Sequence, residues 1–233
     1  MNEYIPYSTQ DISEGDIKSV TNVLRSNFLT QGPLIPKFEN KFSKKFLTKG
    51  AVAFNSATSA LHISCVSLGL KKNDIVWTSP ISFVASANCA LYCGAKIDFV
   101  DINNETLNID TTILKNKLDI AKKRKKLPKI LIVVHFAGNP VEMEKIYKLT
   151  KPLNIKIIED ASHALGAYTP KYKVGSCLFS DITIFSFHPV KMITTAEGGM
   201  ALSNDKKIIK NLLLLRSHGI SRDINAKKDG GWY

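Results

Sequence analysis

A largely parallel α/β sheet with helices packed on both faces is the fold this sequence predicts. Three observations carry that expectation. From about residue 51 onward, short apolar runs of strand character alternate with longer runs of helical character. Glycines stand where the helical runs close, at Gly69, Gly94 and Gly219. Hydrophobic residues make up 44% of the chain and charged residues 22%, which suffices to bury a substantial core.

The elements follow in order. AVAFNS, residues 51–56, reads as a strand and ATSALHISCVSLGL as the helix after it. DIVWTS is the next strand, and SFVASANCALYCG is a helix stopped by Gly94. KIDFVDI leads into a polar helix from Asp110 to Lys125. KILIVVHF is followed by PVEMEKIYKLTKPL, where Pro140 is placed to open a helix, because its missing N–H costs nothing in a first turn. IKIIED, DITIFSF and GMALS supply three more strands, and DKKIIKNLLLLRSHG a final helix. Residues 1–50 are expected to form a helical segment ahead of a large domain over 51–233.

Composition narrows the classes of function. No apolar run approaches the length of a membrane span, and the polar start MNEYIPYSTQDISEGD does not read as a secretory signal. Cys65, Cys89, Cys93 and Cys177 show neither a CxxC pair nor a disulfide framework, which points to a cytoplasmic setting and to no metal site. Cys89 and Cys93, four apart, share one helix face and read as packing residues. The net charge of +12 favours anionic partners. Its densest run, Lys122 to Lys129, carries no interleaved aromatics, so it reads as a solvated helix end rather than a nucleic-acid surface.

In open α/β sheets ligands bind outside the carboxyl ends of the strands. Four predicted strand ends carry chemistry. NSATSAL opens a helix with small and hydroxyl residues, an arrangement suited to a phosphate through exposed amides, although Ser and Thr are also ordinary helix caps. TSPISF delivers Phe83; IKII ends in Glu159 and Asp160, with Ser162 and His163 beyond; ITIF ends in Ser186, with Lys191 five residues on. Taken singly, Asp160 reads equally as a helix cap, His163 as a packed core histidine and Lys191 as a surface lysine. Together, a phosphate cradle, a stacking aromatic, a carboxylate and a lysine are the groups pyridoxal 5′-phosphate (PLP) requires. Desolvation would lower the pKa of Lys191 and let it serve as nucleophile and proton carrier.

NSATSALH, TSPISFVASANCALYCGAKIDFVDI, IIEDASHALGA and FSFHPVKMITTAEGGM, in that order, resemble the DegT/DnrJ/EryC1/StrS family of sugar aminotransferases. The resemblance begins near FLTQGPLIPKFENKF and covers nearly the whole chain. It implies the type I PLP-dependent aminotransferase fold and roles position by position. Lys191 matches the lysine that holds the cofactor, Asp160 the partner of the pyridine nitrogen, and His163 the residue near the phenolic oxygen. Phe83 matches the ring-stacking aromatic, and Ala57, Thr58 and Ser186 the phosphate contacts. Thr30 and Gln31 fall in the segment that shapes the substrate site.

The family also contains dehydratases with histidine in place of the lysine, so a retained Lys191 favours transamination. The implied reaction moves an amino group from glutamate to a UDP-linked 4-keto-6-deoxy-N-acetylhexosamine, in a homodimer. Full-length relatives continue well past the point where DGGWY ends this chain, so the expectation is a large domain without its C-terminal small domain. The alternative is an inactive remnant that at most binds PLP.

Overall fold

Branched and aromatic residues crowd the strand runs. In the computed structural model, which describes residues 4–220, they build one seven-stranded sheet. The DGGWY end lies outside the described residues. Two helices lead in, α1 (Glu14–Leu24) and α2 (Leu34–Phe46). Then come β1 (Gly50–Phe54), α3 (Ala57–Ser67), β2 (Ile75–Thr78), α4 (Ala85–Tyr92), β3 (Lys96–Phe99) and α5 (Thr111–Lys123). The chain continues through β4 (Ile130–Val134), α6 (Met143–Thr150), β5 (Lys156–Asp160), β6 (Ile182–Ser186), β7 (Gly199–Ser203) and α7 (Lys206–Arg216).

The strand order is β1-β7-β6-β5-β4-β2-β3. Every neighbouring pair is parallel except those of β7, which runs antiparallel to both β1 and β6. The carboxyl ends of the other strands therefore share an edge with the start of β7.

Strand periodicity sorts the core into two faces. Ile130 and Ile132 of β4 and Ile158 of β5 pack with Ala60, Leu61 and Cys65 of α3, Cys89 and Ala90 of α4, and Leu212 of α7. Leu131 and Val133 of β4 and Ile157 of β5 meet Leu114 and Leu118 of α5 and Met143 and Ile146 of α6. Phe42 and Phe46 of α2 join Phe185, Phe187 and Met200 in a third cluster. Each fully buried side chain of this size contributes about 1.5–3 kcal/mol. Cys89 meets Cys65 across the α3–α4 contact, sulfur to sulfur at 3.8 Å, and all four cysteines are free thiols.

Helix starts follow the sequence where a side chain caps them. Asp110 accepts from the Thr112 and Ile113 amides at 2.7 and 2.8 Å, and Asp205 from the Lys207 amide at 2.7 Å. Pro140 is the exception: it does not open a helix, and α6 begins only at Met143. The Val141 amide donates to His135 Nδ1 at 3.0 Å, which holds the segment out of helical geometry. The helix expected from Asp110 to Lys125 is also less polar than it looks, since it buries Leu114, Leu118 and Ala121. Among the described residues no helix is long and apolar enough to cross a membrane, and no cluster of three or more metal-binding side chains occurs.

Candidate active site

At the carboxyl edge of the sheet lies a cavity of about 660 Å³, within the range of small-molecule sites. Ala57, Thr58, Phe83, Asp160, His163, Ser186 and Lys191 all line it.

Ser56 sets one wall. It caps α3, accepting from the Ser59 amide at 3.1 Å, so the chain turns at the end of β1 and presents the first turn of α3 to the cavity. The Ala57 and Thr58 amides of that turn have no partner within the helix, and the helix dipole places positive potential there. Gly199 of β7 runs directly against this turn. A Cβ at Gly199 would lie 2.5 Å from the Ala57 nitrogen, closer than packed atoms come, so only glycine fits. Ser186, at the end of β6 and largely buried, brings a hydroxyl to the same edge.

β5 delivers Asp160, only 4% exposed. Its parity with Ile158 turns it toward the α3–α4 face, where Ser86 of α4 donates to Oδ2 at 2.6 Å. On the other oxygen, Ser162 donates its hydroxyl at 2.6 Å and its amide at 3.2 Å. Ser86 lies 2.7 Å from Ser82, extending the network toward the loop that carries Phe83. A buried carboxylate is tolerated only when donors surround it in this way.

Lys191 sits in the turn between β6 and β7, its amide donating to the His188 carbonyl at 2.9 Å. Its Nζ contacts His163 Nε2. Burial lowers the Lys191 pKa below the ordinary lysine value, and the nearby Asp160 carboxylate pulls the other way. The His163 pKa is lowered by burial first and then by the Lys191 charge, against the pull of Asp160. A neutral His163 thus accepts from the Lys191 ammonium, and the amine is easier to deprotonate than a solvated one. Phe83 is 73% exposed at the cavity wall.

Thr30 and Gln31 are not brought to this cavity. Gln31 lines a second one, of about 690 Å³, with Asn55, Ser59, His62 and Arg216, while Thr30 is exposed. Ser86 carries no cue in its local pattern, since its hydroxyl is indistinguishable in a helical run from that of a packing serine. Tyr7, His188 and Glu197 also line the cavity.

Comparison with known proteins bears on this geometry. The model of the DegT/DnrJ/EryC1/StrS aminotransferase family matches residues 10–231. A UDP-4-amino-4,6-dideoxy-N-acetyl-β-L-altrosamine transaminase of Campylobacter jejuni is 46% identical over 221 residues, covering 93% of this chain and 56% of its own length. Among solved structures, Helicobacter pylori PseC, an aminotransferase involved in the biosynthesis of pseudoaminic acid, superposes with a TM-score of 0.86 at 36% identity. That match covers 94% of this chain and 57% of PseC. Spr1654 of Streptococcus pneumoniae in its PLP form superposes with a TM-score of 0.82 at 30% identity, covering 93% of this chain and 59% of its own. The chain thus spans little more than half the length of these relatives.

Proposed function

Because this chain belongs to the DegT/DnrJ/EryC1/StrS aminotransferase family, we propose that it binds PLP and transfers an amino group from glutamate to a UDP-linked 4-keto-6-deoxy-N-acetylhexosamine, in pseudaminic acid biosynthesis. The observation that carries the proposal is the convergence of Lys191, Asp160 and the first turn of α3 on one cavity. The residues present fit the cofactor: the first turn of α3, with the Ala57 and Thr58 amides unpartnered within the helix, suits an anionic group, and Asp160 and Lys191 stand in the same chamber. The relatives' names supply the sugar and the pathway.

When bound, PLP supplies an electron sink that acidifies the C–H bond beside the amino nitrogen. The chain's own residues would do the rest. Amides of Ala57 and Thr58, with the Ser186 hydroxyl, hold the phosphate. Asp160, fixed by Ser86 and Ser162, keeps a proton on the ring nitrogen. Phe83 covers the ring face and excludes water from it. Lys191 would hold the cofactor and carry the proton at Nζ, with a pKa already lowered by burial. His163 receives a hydrogen bond from the Lys191 amine and orients it. We assign Thr30 and Gln31 to the sugar side, and a cytoplasmic homodimer as the working assembly.

A second reading is that these residues by themselves, which span 56% of the length of the Campylobacter relative, bind PLP without turnover. Borohydride reduction of one portion of the PLP-loaded protein, followed by peptide mapping, and a turnover assay of an unreduced portion test both. A single label on Lys191, with 2-oxoglutarate released from glutamate when the keto sugar is added, is the expected result. The same label without turnover selects the second reading, and a label absent or scattered over many lysines overturns both.

A further inference from the structure

Glu159 and Asp160 are consecutive, both buried, and point to opposite faces of β5. Asp160 reaches the cavity, whereas Glu159 shares its parity with Ile157, on the face covered by α5 and α6. The Glu159 side chain is 2% exposed and does not itself line the cavity. It accepts from His135 Nε2 at 2.8 Å, from Thr183 Oγ1 at 2.9 Å and from the Ser180 hydroxyl. A carboxylate buried this deeply, with three donors gathered from two segments, is costly to keep unless it holds something in place.

What it holds is His135. This ring is fully buried, and its Nδ1 accepts from the Val141 amide at 3.0 Å, so the ring proton sits on Nε2 and points at Glu159. The side chain of His135 therefore closes the turn that runs from residue 135 to residue 141. Asn108 ties the same turn from outside, accepting from the Phe136 amide at 2.9 Å and donating to the Asn139 carbonyl at 3.1 Å.

The turn reaches the cavity at three points. The His135 amide donates to the Asp160 carbonyl at 3.1 Å. Phe136 and Ala137 line the cavity. Gly138, at φ 84°, lies so close to His163 that a Cβ would come 2.5 Å from its carbonyl oxygen. We propose that Glu159 and His135 are a positioning pair which, through the 135–141 turn, holds Asp160 and His163 in the geometry that receives the cofactor. The inference rests on the cofactor-binding reading above.

Three substitutions separate this role from general stability. Glu159→Leu removes every acceptor at similar bulk. Glu159→Gln keeps a carbonyl oxygen for His135, since the Ser180 and Thr183 hydroxyls can rotate to accept from the amide. His135→Asn keeps an acceptor for Val141 but no longer reaches Glu159, and it serves where Glu159→Leu fails to fold. PLP affinity is read by absorbance titration, exchange of the Val141 and Gly138 amides by mass spectrometry, and folding by thermal denaturation.

The expected result is PLP binding weakened about tenfold in Glu159→Leu and His135→Asn, with faster exchange in the turn, and near wild-type binding in Glu159→Gln. Folded Glu159→Leu or His135→Asn protein with lower thermal stability but unchanged PLP affinity overturns the inference and leaves the cofactor reading standing. Failure of the wild-type chain to bind PLP overturns both.

Discussion

Lys191 is held partly out of water beside a histidine, and that placement has a thermodynamic signature. Its folded-state pKa lies below the ordinary value of 10.5, so between the two values the unfolded chain binds more protons and stability rises with pH. The penalty is present in full below the folded-state pKa and is relieved as pH climbs toward 10.5. Lys191→Met should therefore stabilise the cofactor-free protein near neutral pH. Urea midpoints at neutral and alkaline pH check this; an advantage that fails to shrink toward alkaline pH contradicts it. At this scale the sequence was legible where residue types are scarce. A lysine and an aspartate at strand ends stand out, as does an aromatic in a strand-to-helix loop. Ser86, Ser162 and the Glu159–His135 pair act through ordinary residue types, and nothing in their local pattern separates a carboxylate-binding serine from a packing one.

At the element scale, the approach of β7 to α3 is the tightest constraint at the site. Gly199→Ala would push a methyl group against the Ala57 nitrogen and the Ser56 carbonyl, each 2.5 Å from the added carbon. The backbone must shift, at a cost of about 1–3 kcal/mol, and the α3 amides shift with it. We expect a lower denaturation midpoint and weaker PLP binding together, whereas loss of stability alone would leave the phosphate assignment without support. Most elements were readable from the alternation of periods, because each strand run is bounded by polar or glycine residues. The start of α6 was not, since the bond that keeps Pro140 out of a helix comes from His135, across the turn. Nor was the direction of β7: GMALS would read the same in either orientation.

On the scale of the whole molecule, charge and site occupy opposite edges of the sheet. The run from Lys122 to Lys129 joins the end of α5 to the amino end of β4, while the cavity opens at the carboxyl ends. Replacing Lys122, Lys123, Lys125 and Lys126 together by Gln should leave PLP affinity within about twofold, because charges more than a Debye length away are screened. A tenfold loss in the same titration would mean that the positive field reaches across the sheet. The fold class was legible at this scale because an ordered set of separated motifs constrains it far more than any one element does. The reversal of β7 has one more consequence. β6 leaves the sheet and β7 re-enters it at the same edge, with the Phe187 amide donating to the Gly198 carbonyl at 2.9 Å across the neck. The lysine thus rides on a hairpin excursion fastened at its base rather than on a crossover spanning the sheet. Such a loop can change its contents without rethreading the chain, so the residue at position 191 is open to exchange in evolution while the scaffold around it stays as it is.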